Sequence, residues 1–235
     1  MRNFTTVSSL LKKPILGLAA IALLAGSCKT NNDADNPPSS AISVVHAAPG
    51  TSELTFVING SKANHARLTY GTALAYGVIQ SGSYEFSVTK KDSTRQFAKS
   101  TNALKNGTYY SLFVVDVPSK ESTLLTEDDL SDPKTDQAKI RFINLSPDAG
   151  SLDLNISGTD TLFVKKADFK KTSAFSTAAP GTEKTFEIRE NGKTEVLARI
   201  EKVKIEKGKI YTILAKGLRA KTDSTKLSLQ VINNK

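Results

Sequence analysis

Leu54-Thr55-Phe56-Val57-Ile58-Asn59-Gly60 and, 98 residues later, Leu152-Asp153-Leu154-Asn155-Ile156-Ser157-Gly158 carry the reading of the fold. In both segments a large apolar residue stands at every second position, and a turn pair ends the run. A period of two belongs to a strand with one face on a core, because successive side chains of a strand point to opposite sides. Asn59-Gly60 is the pair that a tight hairpin favours, since both residues tolerate positive φ.

The correspondence extends outward from these strands. At the same offset Ile42, Val44, His46 and Pro49 fall on Ile140, Phe142, Asn144 and Pro147. With shifts of one to three residues, Tyr70, Tyr76 and Gly82 meet Phe169, Phe175 and Gly181, and Phe86, Val88, Tyr110 and Leu112 meet Phe186, Ile188, Tyr211 and Ile213. Apolar residues stay on apolar ones and turns on turns, so the chain reads as two copies of one unit. Tyr84-Phe86-Val88 and Leu227-Leu229-Val231 repeat the alternation. Ser81-Gly82, Asn106-Gly107, Pro180-Gly181, Asn191-Gly192 and Lys207-Gly208 punctuate it. Short strands with a turn every eight to twelve residues predict an all-β fold of two tandem immunoglobulin-like β-sandwich domains, over residues 41–133 and 134–235. Phe163 to Lys171 is ambiguous and admits one helical turn.

The first forty residues read differently. Arg2, Lys12 and Lys13 lead into an apolar run from Pro14 to Gly26, the layout of a secretory signal and too short for a comfortable span. Leu24-Ala25-Gly26-Ser27-Cys28 is similar to a bacterial lipoprotein signal, which implies cleavage after residue 27 and a diacylglycerol on Cys28. Ala25 stands where leucine is usual. Residues 28–40 are polar and contain Pro37-Pro38, as a flexible tether does; the twelve after the cysteine reach about 40 Å at full stretch. The expected location is the bacterial cell envelope, at the outer membrane. The whole chain has 235 residues and a formal charge of +9; the signal holds three cations and no acid, which leaves a mild +6. One cysteine excludes an intrachain disulfide and a thiolate metal cluster.

Each copy opens on a related motif, Val45-His46-Ala47-Ala48-Pro49-Gly50 and Ile143-Asn144-Leu145-Ser146-Pro147-Asp148. These openings, with the strand and turn that follow, resemble the bacterial family of domain of unknown function 4397, whose members open valine-histidine-alanine-serine-proline-aspartate. The resemblance implies an exported β-sandwich of the kind found in tandem in lipoproteins of Bacteroidetes-type bacteria, and it supplies no activity. Copy one lacks the aspartate, having Gly50, and copy two has Asn144 in place of histidine. A dyad needing both groups is intact in neither copy. His46 and Asn144 are therefore expected to hydrogen-bond at a strand end while Pro49 and Pro147 set the turn.

Residues for chemistry are sparse. His46 and His65 are the two histidines and sit in no ligand spacing, so no metal site is expected. Glu127, Asp128, Asp129, Asp132 and Asp136 lack the pattern of a calcium loop and read as a solvated boundary segment. Lysines alternate with acids in Ile200 to Lys207, as on a wet strand face, so nucleic acid is not an expected partner. No cofactor fingerprint appears. Tyr84 and Tyr109 are the tyrosines least explained as core, and they form a tentative ligand surface; the absence of tryptophan weakens a sugar-stacking role.

Together these readings predict a non-catalytic envelope lipoprotein, a binding, adhesion or assembly module with a protein or glycan partner. The alternatives are a glycan-acting hydrolase with carboxylates assembled across strands, and a structural spacer without ligand.

Overall fold

The two repeats build the same set of strands. The first has β1 (Ser39–His46), β2 (Leu54–Ile58), β3 (Ser61–Lys62), β4 (Gly77–Gln80), β5 (Gly82–Lys90), β6 (Gln96–Leu104), β7 (Tyr109–Val115) and β8 (Ser122–Asp128). The second has β9 (Ala138–Asn144), β10 (Leu152–Ile156), β11 (Leu162–Ala167), β12 (Ser176–Ala178), β13 (Gly181–Glu190), β14 (Val196–Ile205), β15 (Ile210–Lys216) and β16 (Ser228–Asn233). This computed structural model describes residues 37–159 and 162–235. The signal, Cys28 and most of the tether lie outside the described residues.

All six turn pairs fall between strands or at a strand's first residue. Asn59 and Gly60 take φ of 47° and 82°, the double positive φ of a type I′ turn, and they join β2 to β3 with Ile58 opposite Ser61. The segment from Phe163 to Lys171 holds no helical turn. It is β11 followed by a turn, and its backbone is recruited by β10, with Leu154 opposite Val164.

Each repeat is a sandwich of two four-stranded sheets. The first pairs β4-β1-β7-β8 with β3-β2-β5-β6, and the second pairs β12-β9-β15-β16 with β11-β10-β13-β14. The strand order is the same in both, and so is the one parallel neighbour, β1 with β7 and β9 with β15. Ile42, Val44, Phe56, Phe86, Val88 and Leu112 fill the first core; Ile140, Phe142, Leu154, Phe186, Ile188 and Ile213 fill the second.

A third core lies between the repeats. Val45, Phe113, Val115, Ile143, Leu145 and Leu214 pack together, all 1% exposed or less. These side chains leave the opposite faces of the two inner sheets from those that fill the sandwich cores. The result is a stack of four sheets, outer-inner-inner-outer, and Pro37–Lys235 form one compact unit. The outer strands β2, β5 and β10 also bury residues of their outer faces, Val57, Ser87, Thr89, Asp153 and Asn155, and the expectation of a single buried face fails most fully for β1, β7, β9 and β15. Those four are covered on both sides, and their runs, such as Ile210 to Ala215, are continuously buried.

Truncating a ring at the seam tests this. Phe113→Ala is expected to destabilise the chain by about 3–5 kcal/mol in urea unfolding, the range for a large buried aromatic. A loss under about 1 kcal/mol would mean that the seam opens in solution.

Candidate functional site

The Pro-containing turns resolve into one device made with two side chains. His46 is wholly buried; its Nε2–H donates to Ser52 O (3.1 Å) and its Nδ1 accepts from Ala48 N–H (3.3 Å). In the second repeat Asn144 Oδ1 accepts from Ser146 N–H (3.1 Å), while Nδ2 donates to Gly150 O and Ala167 O (2.9 Å each). Both residues thus accept from the amide two positions on and donate to the carbonyl six positions on. An amide substitutes for an imidazole because each offers one donor edge and one acceptor edge. Burial holds the His46 pKa below its ordinary 6.5, against the weaker pull of the Ser52 and Thr51 backbone and of Glu121; Lys216 adds to the lowering. His65 lies apart, exposed on the loop after β3. Among the described residues no group of three or more His, Cys, Asp or Glu is placed to hold a metal ion.

The acidic segment is solvated, as it reads in sequence, at every acid but Asp128, and its exposed acids are each stapled to a lysine. Glu127 pairs with Lys105 (2.6 Å), Asp129 with Lys139 (2.8 Å), Asp132 with Lys235 (2.7 Å) and Asp136 with Lys207 (3.3 Å). These pairs are largely exposed, so solvent screens them and they add little to stability. The Lys139 ammonium, with Ser131, holds Asp129 down to about 2.

Asp128 differs from its neighbours. Its side chain is 0% exposed and meets Arg141, 1% exposed, at 2.6 Å. Ser111 Oγ and Tyr76 Oη also donate to Asp128 Oδ2 (2.6 and 2.5 Å), and Thr126 donates to Oδ1 (3.1 Å). Arg141 places its Nε on Thr212 Oγ1 (2.9 Å), and its plane lies 4.6 Å from the Phe175 ring centroid. Asn234 closes the circuit, donating to Tyr76 Oη (2.9 Å) and accepting from Thr212 Oγ1 (2.6 Å). Tyr76, Ser111 and Asp128 come from the first repeat, Arg141, Phe175, Thr212 and Asn234 from the second. Burial, with the Asp128 charge beside it, raises the Tyr76 phenol well above its usual range. At another point of the seam, Lys216 Nζ stands 4.2 Å from the Tyr70 ring centroid, and Gln230 Nε2 donates to Gly71 O (2.7 Å). Burial lowers the Lys216 pKa and pushes the Tyr70 phenol up to about 12.

Tyr84 and Tyr109 are not brought together. Tyr84, on β5 of the outer sheet, donates to Gln80 O (2.9 Å) and lies parallel to Phe86. Tyr109, on β7 of the inner sheet, is 43% exposed and meets Tyr76 edge-on at 5.5 Å, so it roofs the Asp128 network. A polar cavity of about 430 Å³ opens elsewhere, on the outer face of β10 and β13, beside Asn155, Ser157, Glu187 and Arg189. Sequence reading passed over these residues because alternating polar positions on an outer strand look like ordinary wet surface. The available signal was the change of side-chain type from copy one, Val57 to Asn155 and Ser87 to Glu187.

The family model described as Domain of unknown function (DUF4397) matches residues 40–155. Residues 40–155 are similar to that family. The match begins on β1, crosses the stapled boundary and ends on β10 of the second repeat; the second repeat shares its strand order and turn device with the first. No curated protein matches the chain. At the openings of the two repeats, His46 and Asn144 both engage the backbone through their donor and acceptor edges.

Two measurements test the site. Removing one member of the buried pair, as Arg141→Met or Asp128→Leu, is expected to cost about 3–5 kcal/mol, and the double variant less than the two together, because no uncompensated charge remains. Additive losses would show that the two charges act independently. His46 contributes stability that is complete above its unfolded pKa of 6.5 and is lost as pH falls below it, since only the unfolded chain then takes up the proton. The melting temperature is therefore expected to fall less in His46→Asn than in the parent between about pH 7.5 and about pH 5. Equal falls would overturn this assignment.

Proposed function

We propose that the chain is a non-catalytic binding module of the bacterial cell envelope, held at the outer membrane by acyl chains on Cys28 and presented on the segment up to residue 40. The observation that carries this reading is the junction. A buried ion pair and an apolar seam weld the repeats into one body whose two outer sheets face away from each other. A welded body suits presentation, because a ligand bound to an outer face meets a surface that is already ordered and needs little further ordering on binding. Two or three acyl chains hold a protein stably where one does not, at roughly 0.8 kcal/mol per buried CH₂. The +6 that remains without the signal is spread among acids, so the lipid rather than the charge supplies the anchorage.

The test is fractionation of cells expressing the full chain and its Cys28→Ala variant. The parent is expected in the membrane fraction and the variant in the soluble envelope fraction. A variant that still partitions with membranes overturns the anchor. Turnover of a polysaccharide panel by the purified chain, abolished by one Asp or Glu substitution, would replace the binding role with hydrolysis.

A further inference from the structure

The inner sheet of the first repeat ends on an open edge. β4 has one strand neighbour among the described residues, β1, with Val78 opposite Ala41 and Gln80 opposite Ser39. On the other side of β1, Ala41 N–H donates to Thr108 O (3.1 Å) and Ser39 O accepts from Gly107 N–H (2.8 Å). The amide groups of an antiparallel pair alternate in direction, so Val78 and Gln80 turn theirs away from β1. Gln80 O accepts from Tyr84 Oη (2.9 Å), which leaves Val78 with both backbone groups at the edge. Its side chain is 82% exposed, the most of any large apolar residue among those described.

The equivalent edge of the second repeat is blunted. β12 has three residues, Pro180 follows it without an N–H, and Asp168, Lys170 and Lys171 precede it. The edge strands β11 and β14 carry lysines and register shifts. Around β4 these devices are missing. Residues 68–84 hold no charged side chain, in a chain that is 23% charged, and neither do residues 227–234. The two segments lie side by side, for Gln230 Nε2 donates to Gly71 O (2.7 Å), Asn234 Nδ2 donates to Tyr76 Oη (2.9 Å), and Ala73 and Ile232 pack on the same seam. A groove of about 350 Å³ is lined by both segments, so an uncharged flank continues the apolar seam out towards β4.

We propose that a second copy of this chain docks on this flank, with β4 pairing antiparallel to β4 across a two-fold axis at Val78. Three observations choose that occupant. An edge whose open donor and acceptor belong to one residue closes on itself: Val78 N–H of each copy meets Val78 O of the other, and the edge is then used up. The chain carries a formal +9, so two copies repel except where their contact holds no charge, and a charged partner finds nothing of opposite sign here. The seam is the precedent, since two versions of this inner sheet already associate there through the faces that border the flank. Directly opposed side chains share a face, so the two Val78 side chains cover each other. Pairing joins two four-stranded sheets into one. The strands are short, which places the contact at the low end of specific interfaces, and confinement of an anchored chain offsets this by raising its effective concentration.

The experiment uses the purified Cys28→Ala chain, which has no thiol, in sedimentation velocity between about 1 μM and about 1 mM. A monomer–dimer equilibrium that stops at two copies is expected. Val78→Lys sets two ammonium groups opposite each other and is expected to weaken the dimer roughly tenfold or more. Its melting temperature stays that of the parent, because the side chain is exposed. Val78→Cys in the same background is expected to form a disulfide-linked dimer on mild oxidation several times faster than Thr177→Cys. Opposed Cα atoms about 5.5 Å apart lie within reach of a disulfide. Thr177 is exposed and holds the equivalent place on β12, opposite Lys139, so it reports chance collision. A chain that stays monomeric over the whole range overturns the proposal. Assembly beyond the dimer, an equilibrium indifferent to Val78→Lys, or equal crosslinking of the two cysteine variants overturns it too.

Discussion

Both charges of the Arg141–Asp128 pair are removed from water, and the four-sheet stack closes around the contact between them. Such a pair is tolerated only when the remaining hydrogen-bonding positions are met, because desolvation otherwise exceeds the attraction. Here they are met. Arg141 reaches Thr126, Ser111 and Thr212 as well as Asp128, and Asp128 takes two hydroxyls on one oxygen. Every one of those partners sits on an inner sheet, on its flank or at its end. The apolar seam alone, built from Val, Phe, Ile and Leu, would accept more than one register, since such side chains are interchangeable at about equal volume. The ion pair is not interchangeable. A slip along either inner sheet would leave a buried guanidinium and a buried carboxylate apart, so the charges select one register for a contact that the apolar residues drive.

The same junction explains where sequence reading succeeds and where it stops. The strands of the outer sheets are legible because water on one side imposes alternation: Leu54, Phe56 and Ile58 point inward. The turns are legible because Gly and Asn answer a local demand of the backbone. The inner strands carry a different signature, the nearly unbroken apolar runs Leu112 to Val115 and Ile213 to Ala215, which mark burial on both faces. Periodicity within each copy says nothing about what covers the second face. Arg141 is the sharper case. On an alternating template it reads as a wet position, the equivalent of Ser43, and only the approach of Asp128 from another strand reverses that reading. Asp128 itself was hidden among four acids that do reach solvent, since nothing local distinguishes it from Glu127 or Asp129.

Duplication makes such divergence interpretable, because each repeat serves as a control for the other. Where the backbone needs a function, the copies keep it with different chemistry: imidazole at His46, amide at Asn144, with the same two kinds of bond. At the seam the copies specialise in complementary ways. Tyr76 donates to the carboxylate, and its counterpart Phe175, lacking a hydroxyl, lies under the guanidinium. The phenol and the phenyl ring fill similar volumes on the two sides of one contact, and each suits the charge it meets.

This division of labour constrains where the chain is able to bind anything. The inner faces are consumed by the seam, and the turn residues are consumed by the backbone. Side chains free to serve a ligand must then come from the outer sheets or the strand edges. On the first outer sheet the central positions are small and close-packed, with Ser87 bonded to its neighbour Gln96. On the second, the same positions hold long polar groups, one of which keeps a buried donor without a partner. A polar cluster on an outer face that served only solubility would have no reason to be desolvated, because water satisfies such groups at no cost. Asp153 recovers the cost of its desolvation by holding β11 and the β13–β14 turn, whereas Asn155 and Glu187 recover less of it, with one accepted side-chain hydrogen bond each.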